Sequence, residues 1–358
     1  MTPAPLPWFT AGRCPLYLAP MAGFTDVAFR TLCKAYGADV VETEFVQAIP
    51  LVRDVERTWR TIDFTEAQRP AGVQIFGAVP SLMAQAARLL EERLHPDFID
   101  LNFGCPARKV VEQNAGAGLL RDPVLAAQIA SAVVQAVPET PVTVKMRIGW
   151  DSTGIVAVDV ARRLENAGVR VIAVHGRTKT QGYSGEANWE EIARVAAAVS
   201  VPVIGNGDIR DSATALKRWR ESGVAGLMIG RAALGNPWLF AEIKAVLQGA
   251  PSPSPPTAGE RLKTLVSYAE MLVTNSDSTD DSNGTNGTGA VDVRWMLTKL
   301  FPLIQRLSGA RKFRARLSEC RSLDDIRRLC SSADASALTG NGTDDSNGVD
   351  GTDADSAM

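Results

Sequence analysis

Residues 97–110 read DFIDLNFGCPARKV, and this stretch contains a strand together with the turn that ends it. The run FIDLNFG (98–104) is apolar except for one acid and one amide, which is typical of a strand buried on both faces of a parallel sheet. The run stops at Gly104, and Cys105 follows between that glycine and Pro106. The stretch therefore predicts a thiol on a rigid turn at the carboxyl end of a buried strand.

Seven further runs of the same kind accompany it along residues 16–248. They are LYLAP (16–20), DVVETEF (39–45), GVQIFG (72–77), VTVKMR (142–147), VRVIAVHG (169–176), VPVIGNG (201–207) and AGLMIG (225–230). Helix-length segments such as PSLMAQAARLLEERL (80–94) and DPVLAAQIASAVVQAV (122–137) separate the runs. Eight alternating units predict an α/β fold, a (β/α)₈ TIM barrel, which usually needs about 250 residues. A doubly wound sheet fits less well, because no G-x-G-x-x-G motif follows the first run.

The chain divides into a barrel and a smaller C-terminal part. We predict a catalytic barrel over residues 1–250, a stiff linker PSPSPP (251–256), and a helical domain over residues 257–330. The helical pattern appears in GERLKTLVSYAEMLV (259–273) and VRWMLTKLFPLIQRL (293–307).

Charge is distributed unevenly in this C-terminal part. Residues 275–293 carry four Asp, residues 331–358 carry six Asp, and neither segment has a Lys or Arg. Both are so poor in apolar residues that we predict a disordered acidic insertion and a disordered acidic tail. Between them, residues 294–329 hold ten Lys and Arg against three acids, so their net charge is 10 − 3 = +7.

The composition argues against several classes of protein. The five cysteines are odd in number and form no C-x-x-C motif, and the two histidines stand eighty positions apart, so we expect neither a disulfide framework nor a metal site. No apolar run reaches the roughly 18 residues of a membrane span, and the N-terminus does not resemble a signal peptide. These features predict a reduced, cytoplasmic protein that has no metal and no membrane partner.

Polar residues and glycines gather at the carboxyl ends of the eight runs. These residues predict a pocket, because the strand ends of a TIM barrel meet at one face, where barrel enzymes hold their active sites. They are Pro20, Met21, Ala22, Gln74, Asn102, Cys105, Lys145, Arg147, His175, Arg177, Asn206, Gly207, Asp208, Gly230 and Arg231.

Two features of this set suggest an anionic ligand. Lys145 interrupts an apolar strand, and a buried ammonium group needs an anionic partner, which is either a bound ligand or a structural salt bridge with Asp100 or Glu44. The stretches GNGD (205–208) and GR (230–231) follow the last two strands, where barrels commonly bind phosphate. Ordinary tight turns are the alternative reading of these two stretches.

Cys105 and His175 also have two readings each. A free cysteine is usually a small buried hydrophobe, and we adopt that reading for the other four cysteines. At a strand end, however, Cys105 is suited to act as a nucleophile or a proton donor, and nearby Arg108 and Lys109 could tune its pKa. His175 is either a core histidine or a ligand contact, and its position at a strand end favours contact.

These residues resemble the tRNA-dihydrouridine synthases, a family of FMN-dependent flavoenzymes that reduce uridine in tRNA. The matching stretches are APMAGFTDVAFR, TEFVQA, VQIFG, DLNFGCPARKV, GAGLL, VKMRIGW, HGRTKTQGYSGEANW, VIGNGDI and MIGRAALGNPWLF, and they span residues 17–240. The long form HGRTKTQGYSGEANW is most similar to the bacterial B-type branch. The helical stretches RWMLTKLFP and ARKFRARLSECRSLDDIRRL resemble the family's tRNA-binding domain, whereas the acidic insertion and tail depart from it.

The resemblance implies roles for individual residues. Cys105 would donate a proton to C5 of uracil while reduced FMN delivers a hydride to C6, and NADPH or NADH would reduce the flavin beforehand. The residues that would bind FMN are Pro20, Met21, Ala22, Gln74, Lys145, His175, Asn206, Gly207, Asp208, Gly230 and Arg231. The residues that we assign to the tRNA substrate are Asn102, Arg177, Arg311, Lys312 and Arg314.

Two alternatives remain open from the sequence. The first is an FMN-dependent pyrimidine dehydrogenase that acts on a small molecule, like the dihydroorotate dehydrogenases. The second is a non-catalytic RNA-binding protein on the same scaffold. Turnover of a free pyrimidine would favour the first, and a colourless protein that does not take up FMN would favour the second.

Overall fold

The computed structural model describes residues 6–275, 291–305, 307–332 and 338. Within these ranges, nine strands form one sheet in which every strand pair is parallel. The strands are β1 (Leu16–Leu18), β2 (Val41–Glu42), β3 (Val46–Gln47), β4 (Ala71–Phe76), β5 (Phe98–Phe103), β6 (Val142–Gly149), β7 (Val171–Thr178), β8 (Val203–Asn206) and β9 (Gly226–Ile229).

The sheet closes on itself to form the predicted barrel. Its hydrogen-bonded order runs β1-β9-β8-β7-β6-β5-β4-β2, and a parallel bridge between Tyr17 and Val40 joins the two ends. Across this closure, the amide of Leu18 donates to the carbonyl of Val40 at 2.9 Å, and the amide of Val40 donates to the carbonyl of Leu16 at 3.2 Å. The TIM-barrel prediction is therefore confirmed.

One predicted strand differs from the structure. The run 39–45 was expected to be a single strand, but it is β2 followed by a break, and β3 then pairs separately with β4. At the break, Thr43 still donates its amide to the carbonyl of Gly72 at 2.9 Å, and its hydroxyl donates to the carbonyl of Glu44 at 3.0 Å. A side chain that bonds to neighbouring backbone offers an alternative to the strand ladder.

Helices surround the barrel and connect its strands. In the described part of the chain up to residue 250, they are α1 (Val27–Ala35), α2 (Ala48–Val52), α3 (Glu56–Thr61), α4 (Pro80–Leu94), α5 (Arg108–Val111), α6 (Pro123–Ala136), α7 (Ala157–Asn166), α8 (Trp189–Ala198), α9 (Ser212–Ser222) and α10 (Leu239–Leu247). Short 3₁₀ turns occur at Glu66–Gln68, Gly116–Arg121 and Arg231–Ala233. The apolar faces of the helices pack on the outward-facing strand residues in one large core.

The barrel interior is apolar at its amino end and polar at its carboxyl end. Tyr17, Val40 and Phe98 belong to an inner apolar cluster, which Trp8 and Phe9 cover. Higher in the barrel, the inward-facing residues Glu42, Gln74, Asp100 and Thr143 are all buried. Buried polar groups require hydrogen-bond partners, so this upper layer must be organised as a network.

Gly72 shows how closely the lower layer is packed. A Cβ atom at this position would lie 2.1 Å from the ring of Phe98 on the neighbouring strand. The aromatic side chain thus fills the space that a larger residue at position 72 would need.

Among the described residues after the linker, four helices pack on one side of the barrel. They are α11 (Ala258–Asn275), α12 (Val293–Ile304), α13 (Ala310–Glu319) and α14 (Leu323–Cys330). Helix α11 lies against α1, where the ring centroids of Phe29 and Tyr268 are 5.9 Å apart and the hydroxyls of Tyr36 and Thr264 are 2.8 Å apart. The prediction of a C-terminal helical region is confirmed.

A few residues of the two segments predicted to be disordered belong to the described structure. Asn275 ends α11, Asp292 accepts a hydrogen bond from Arg294 as the N-cap of α12, and Leu338 is buried. Residues 276–290, and most of residues 331–358, lie outside the described residues.

Candidate active site

A cavity of about 390 Å³ opens at the carboxyl ends of the barrel strands. This volume is typical of small-molecule sites in proteins. The cavity is lined by every barrel residue to which the sequence assigned a role: Pro20, Met21, Ala22, Gln74, Asn102, Cys105, Lys145, His175, Arg177, Asn206, Gly207, Asp208, Gly230 and Arg231. Arg311, Lys312 and Arg314 do not line it. They lie on α13, where their side chains are exposed.

Two hydrogen-bonding groups fix the turn that carries Cys105. The side-chain oxygen of Asn102 accepts from the amide of Cys105 at 2.8 Å and from the amide of Gly104 at 3.1 Å. On the other side, the carbonyl of Cys105 accepts from the amide of Ala117 at 3.0 Å. A Cβ atom at Gly116 would lie 2.8 Å from that same carbonyl, so the 3₁₀ segment packs directly on the turn.

The thiol of Cys105 remains protonated in this environment. Burial raises its pKa above the ordinary value. A hydrogen bond with the backbone amide of Ala107 and the positive charges of Arg147 and Lys145 oppose that effect only in part. Arg108 and Lys109, which the sequence suggested could tune this pKa, are not among the groups that shift it. Arg108 is 90% exposed and pairs with Glu112, so the solvent screens its charge. The site therefore presents a thiol rather than a thiolate, which suits a proton donor.

Arg147 is a site residue to which the sequence analysis assigned no role. Its guanidinium donates to the carbonyl of Gly104 at 3.0 Å, and to the carbonyls of Thr178 and Gly182 at 2.7 Å each. Burial is the main cause that lowers its pKa to about 10. Arg147 thus connects the turn before Cys105 to the loop that follows β7.

Tyr183 is a second residue that the sequence reasoning missed. Its ring lies 4.3 Å from the guanidinium of Arg231, 5.6 Å from that of Arg147 and 6.4 Å from the ring of His175. The residue sits in a loop without periodicity, and the family motif that contains it was the one available signal. It forms an aromatic wall between the cations of the pocket.

Lys145 forms no salt bridge with the residues that the structure describes. No ion pair joins it to Asp100 or Glu44, the two partners that the sequence suggested, or to another carboxylate of the described residues. Burial and the nearby Arg147 lower its pKa, whereas Glu42 and Asp100 oppose that shift from a distance. An ammonium group in this position is matched to an anionic ligand.

His175 is neutral in this pocket. Its pKa lies well below the ordinary value, because burial disfavours the charged imidazole and because Arg147, Lys145, Arg177 and Arg231 all add positive charge. The same four cations make the cavity attractive to a ligand that carries negative charge.

Arg177 is held by the protein itself. It is 1% exposed and donates to Asp208 at 2.9 Å and to the carbonyls of Ser184 and Gly185. Asp208 also accepts from the amide of Ala187 at 2.8 Å. This environment favours a supporting role for Arg177 over direct contact with a tRNA substrate.

Close packing requires a glycine in the turn after β8. Gly207 has a φ of +126°, and a Cβ atom there would lie 2.5 Å from the side chain of Ala187 and 3.2 Å from the ring of His175. Asn206 donates its side-chain amide to the carbonyl of Met228 at 2.7 Å. A phosphate role for this turn remains a prediction.

The fold and the cavity together define a TIM-barrel enzyme with a cationic pocket and a protonated thiol at its mouth. The profile of the dihydrouridine synthase family (Dus) matches residues 17–337. The chain is 44% identical to a probable tRNA-dihydrouridine synthase of Rhodobacter capsulatus, an alignment that covers 72% of this chain and 80% of the relative. It is 39% identical to tRNA-dihydrouridine synthase B of Pseudomonas aeruginosa, with 86% and 89% covered. The chain belongs to the dihydrouridine synthase family.

Two features are absent from the described residues. No helix among them is long and apolar enough to cross a membrane. No group of three or more His, Cys, Asp or Glu residues in those ranges is arranged to hold a metal ion.

The neutral state of His175 predicts how stability depends on pH in the flavin-free protein. Below pH 6.5 the unfolded chain takes up a proton that the folded protein does not, so stability should fall as the pH decreases through that value. His175→Gln should reduce this slope by up to about 1.4 kcal/mol per pH unit. Urea denaturation between pH 7.5 and 5 measures it. The exposed His95, changed to Gln, is the control, and equal slopes in both variants would contradict the assignment.

Proposed function

We propose that this protein reduces the C5=C6 bond of uridines in tRNA to give 5,6-dihydrouridine, as an oxidoreductase that uses FMN and NADPH or NADH. One observation carries the proposal: in a member of the dihydrouridine synthase family, a protonated Cys105 faces a cationic cavity at the mouth of the barrel. The thiol, the cations and the apolar wall each match one requirement of the reaction.

The cavity suits a flavin mononucleotide. Pro20, Met21 and Ala22 form an apolar edge, and Lys145 carries a positive charge that no carboxylate of the described residues neutralises through an ion pair. We assign Gln74 and Lys145 to the polar edge of the flavin ring. We assign the ribityl chain and phosphate to His175, Asn206, Gly207, Asp208, Gly230 and Arg231.

Cys105 supplies the proton of the reduction. When bound in its reduced state, FMN would supply the hydride that C6 of uracil accepts. The S–H bond of Cys105 breaks as a C–H bond forms at C5, so the hydride and the proton together saturate the double bond. Arg147 and Lys145 then face the thiolate that remains, and their positive charges stabilise it until a proton from solvent restores the thiol.

Substrate must enter this cavity as a single extruded nucleotide. A base that is stacked or paired in tRNA cannot reach a buried thiol, so the uridine has to leave the stack. We assign Asn102 to the orientation of the uracil, since it lines the cavity and holds the turn that carries Cys105. NADPH or NADH, in contrast, needs only transient access to the same opening.

The C-terminal helices favour tRNA over a free pyrimidine as the substrate. The family profile continues through residue 337, well beyond α10, so the helical region belongs to the matched part. On α13, Arg311, Lys312 and Arg314 are exposed, and the last of these stacks on Phe301 at 4.5 Å. Exposed cations beside an aromatic ring are suited to a nucleic-acid backbone.

The role of Cys105 is tested by removing the thiol. Cys105→Ala should bind FMN and tRNA and accept electrons from the nicotinamide, but its reduction of uridine should fall by about 10²–10⁴-fold. Cys105→Ser should fall in the same range, because a hydroxyl is a far weaker acid. Oxidation of the pre-reduced enzyme by tRNA in a single turnover measures this step.

Cys33→Ala, at a buried cysteine outside the cavity, is the matched control and should keep the rate. A wild-type rate in Cys105→Ala would remove the thiol from the mechanism.

The role of Lys145 is tested by flavin binding. Lys145→Ala should weaken the binding of FMN and slow flavin reduction, because the anionic reduced ring loses its counter-charge. Flavin fluorescence gives the affinity, and stopped-flow absorbance gives the reduction rate. Lys244→Ala is the control, since Lys244 pairs with Asp39 away from the cavity. Normal occupancy together with normal reduction in Lys145→Ala would contradict the assignment.

The basic face of α13 is tested by charge reversal. Changing Arg311, Lys312 and Arg314 to Glu should weaken tRNA binding and make it less dependent on salt, by about one unit of slope for each lost phosphate contact. Filter binding across a salt series measures both quantities. Arg88→Glu, an exposed site on α4, controls for net charge. Equal losses in this control and in the α13 variants would argue against a specific tRNA surface there.

A further inference from the structure

Asp100 lies beneath the catalytic turn, in the polar layer of the barrel. It is 2% exposed and accepts two hydrogen bonds, from the Gln74 side-chain amide to Oδ2 at 2.7 Å and from the Thr143 hydroxyl to Oδ1 at 2.5 Å. An ionised carboxylate can only accept hydrogen bonds. The NH₂ group of Gln74 must therefore face Asp100, and its carbonyl oxygen must face away.

The orientation of Gln74 then fixes that of Asn102. The carbonyl oxygen of Gln74 accepts from the side-chain amide of Asn102 at 2.7 Å. With its NH₂ group committed to Gln74, Asn102 turns its own oxygen toward the amides of Gly104 and Cys105. Each side-chain amide in this series can face in one direction only, because the group before it has already been fixed.

We propose that Asp100 is a positioning residue for Cys105, acting through the chain of hydrogen bonds that runs from Asp100 to Gln74 to Asn102 to the turn. The catalytic consequence rests on the proposed function of Cys105. The structural consequence, a turn whose amides are held by Asn102, does not depend on it.

The cost of burying this carboxylate supports a role beyond packing. Burial raises the pKa of Asp100 to about 6, although Thr143, Gln74 and Lys145 favour the ionised form. An asparagine of the same shape would fill the same space without an ionised group in the barrel. What asparagine cannot do is accept hydrogen bonds at both side-chain positions.

Asp100→Asn is therefore a change of polarity at nearly constant shape. If the oxygen of the new side chain continues to accept from Thr143, its NH₂ group opposes the NH₂ group of Gln74. Gln74 would then rotate by half a turn and oppose the NH₂ group of Asn102. Asn102 would rotate in its turn and leave the amides of Gly104 and Cys105 without their acceptor.

Hydrogen exchange of these two amides tests the proposal directly. Full-length Asp100→Asn, in both the flavin-loaded and the flavin-free form, should exchange the amides of residues 104 and 105 about two- to tenfold faster than wild type, as expected for one lost hydrogen bond. Asp97→Asn is the matched control: Asp97 holds the amide of Ala71 at 2.8 Å at the other end of the same strand region. It should leave both rates unchanged. Unchanged rates in folded Asp100→Asn would overturn the proposal.

A double variant separates polarity from general loss of stability. Combining Asp100→Asn with Gln74→Glu restores an acceptor at the middle position, which can receive hydrogen bonds from the new amide below and from Asn102 above. Exchange at residues 104 and 105 should return toward the wild-type rate. If exchange at these two amides stays fast in a folded double variant, the proposed chain of hydrogen bonds is wrong.

A third variant keeps the test valid if Asp100→Asn does not fold. Gln74→Met interrupts the chain at its centre with a side chain of similar length. It should speed exchange at the same two amides, and unchanged exchange there would also overturn the proposal.

Uridine reduction gives the catalytic readout. In FMN-loaded Asp100→Asn, single-turnover oxidation by tRNA should slow by up to about 100-fold, the effect of a reacting group displaced by about 1 Å. Asp97→Asn should keep the wild-type rate. The outcome is separable from the proposed function, because an active Cys105→Ala would reject the proton-donor role while leaving the exchange result intact. Faster exchange with an unchanged oxidation rate would reject the positioning role of Asp100.

Discussion

The parallel bridge between Tyr17 and Val40 is the contact on which the rest of the site depends, because it closes a sheet of parallel strands into a barrel. In a closed parallel barrel, all the carboxyl strand ends meet at one rim. Residues as far apart in sequence as Met21 and Arg231 therefore line a single cavity. Below the rim, the apolar cluster around Phe98 fills the barrel, so a ligand is confined to the upper part.

Within that cavity, the dominant electrostatic feature is an excess of positive charge among buried side chains. Lys145 and Arg147 have lowered pKa values and His175 is held neutral, in each case chiefly because burial disfavours the charged form. The negative charges nearby, Glu42 and Asp100, are placed deeper in the barrel, where burial raises their pKa values. This separation leaves the mouth suited to an anionic cofactor and keeps the carboxylates available to organise the side chains above them.

The helical region is joined to the barrel next to this mouth. Lys299 of α12 is almost fully buried, pairs with Asp26 at 2.9 Å and donates to the carbonyl of Gly23, in the loop that begins at Met21. The carboxylate of Glu44 accepts from the amide of Gly23 at 2.6 Å and holds the same loop from the barrel side. The surface that we assign to tRNA and the loop that borders the cavity are thus connected through one buried ion pair.

The sequence by itself determined the barrel, the helical region and the strand-end residues of the site, because periodicity and turn chemistry are local properties of the chain. It placed Cys105 on its turn, since Gly104 and Pro106 are its direct neighbours. It did not show that Arg108 is exposed and paired with Glu112, or that the run 39–45 breaks into two strands, because these features depend on the surroundings of each residue. Only the tertiary structure decided that Tyr183 belongs to the site, which carbonyls Arg147 contacts, and which way each amide between Asp100 and the turn faces. These depend on distances between residues remote in sequence, which the closure of the barrel sets.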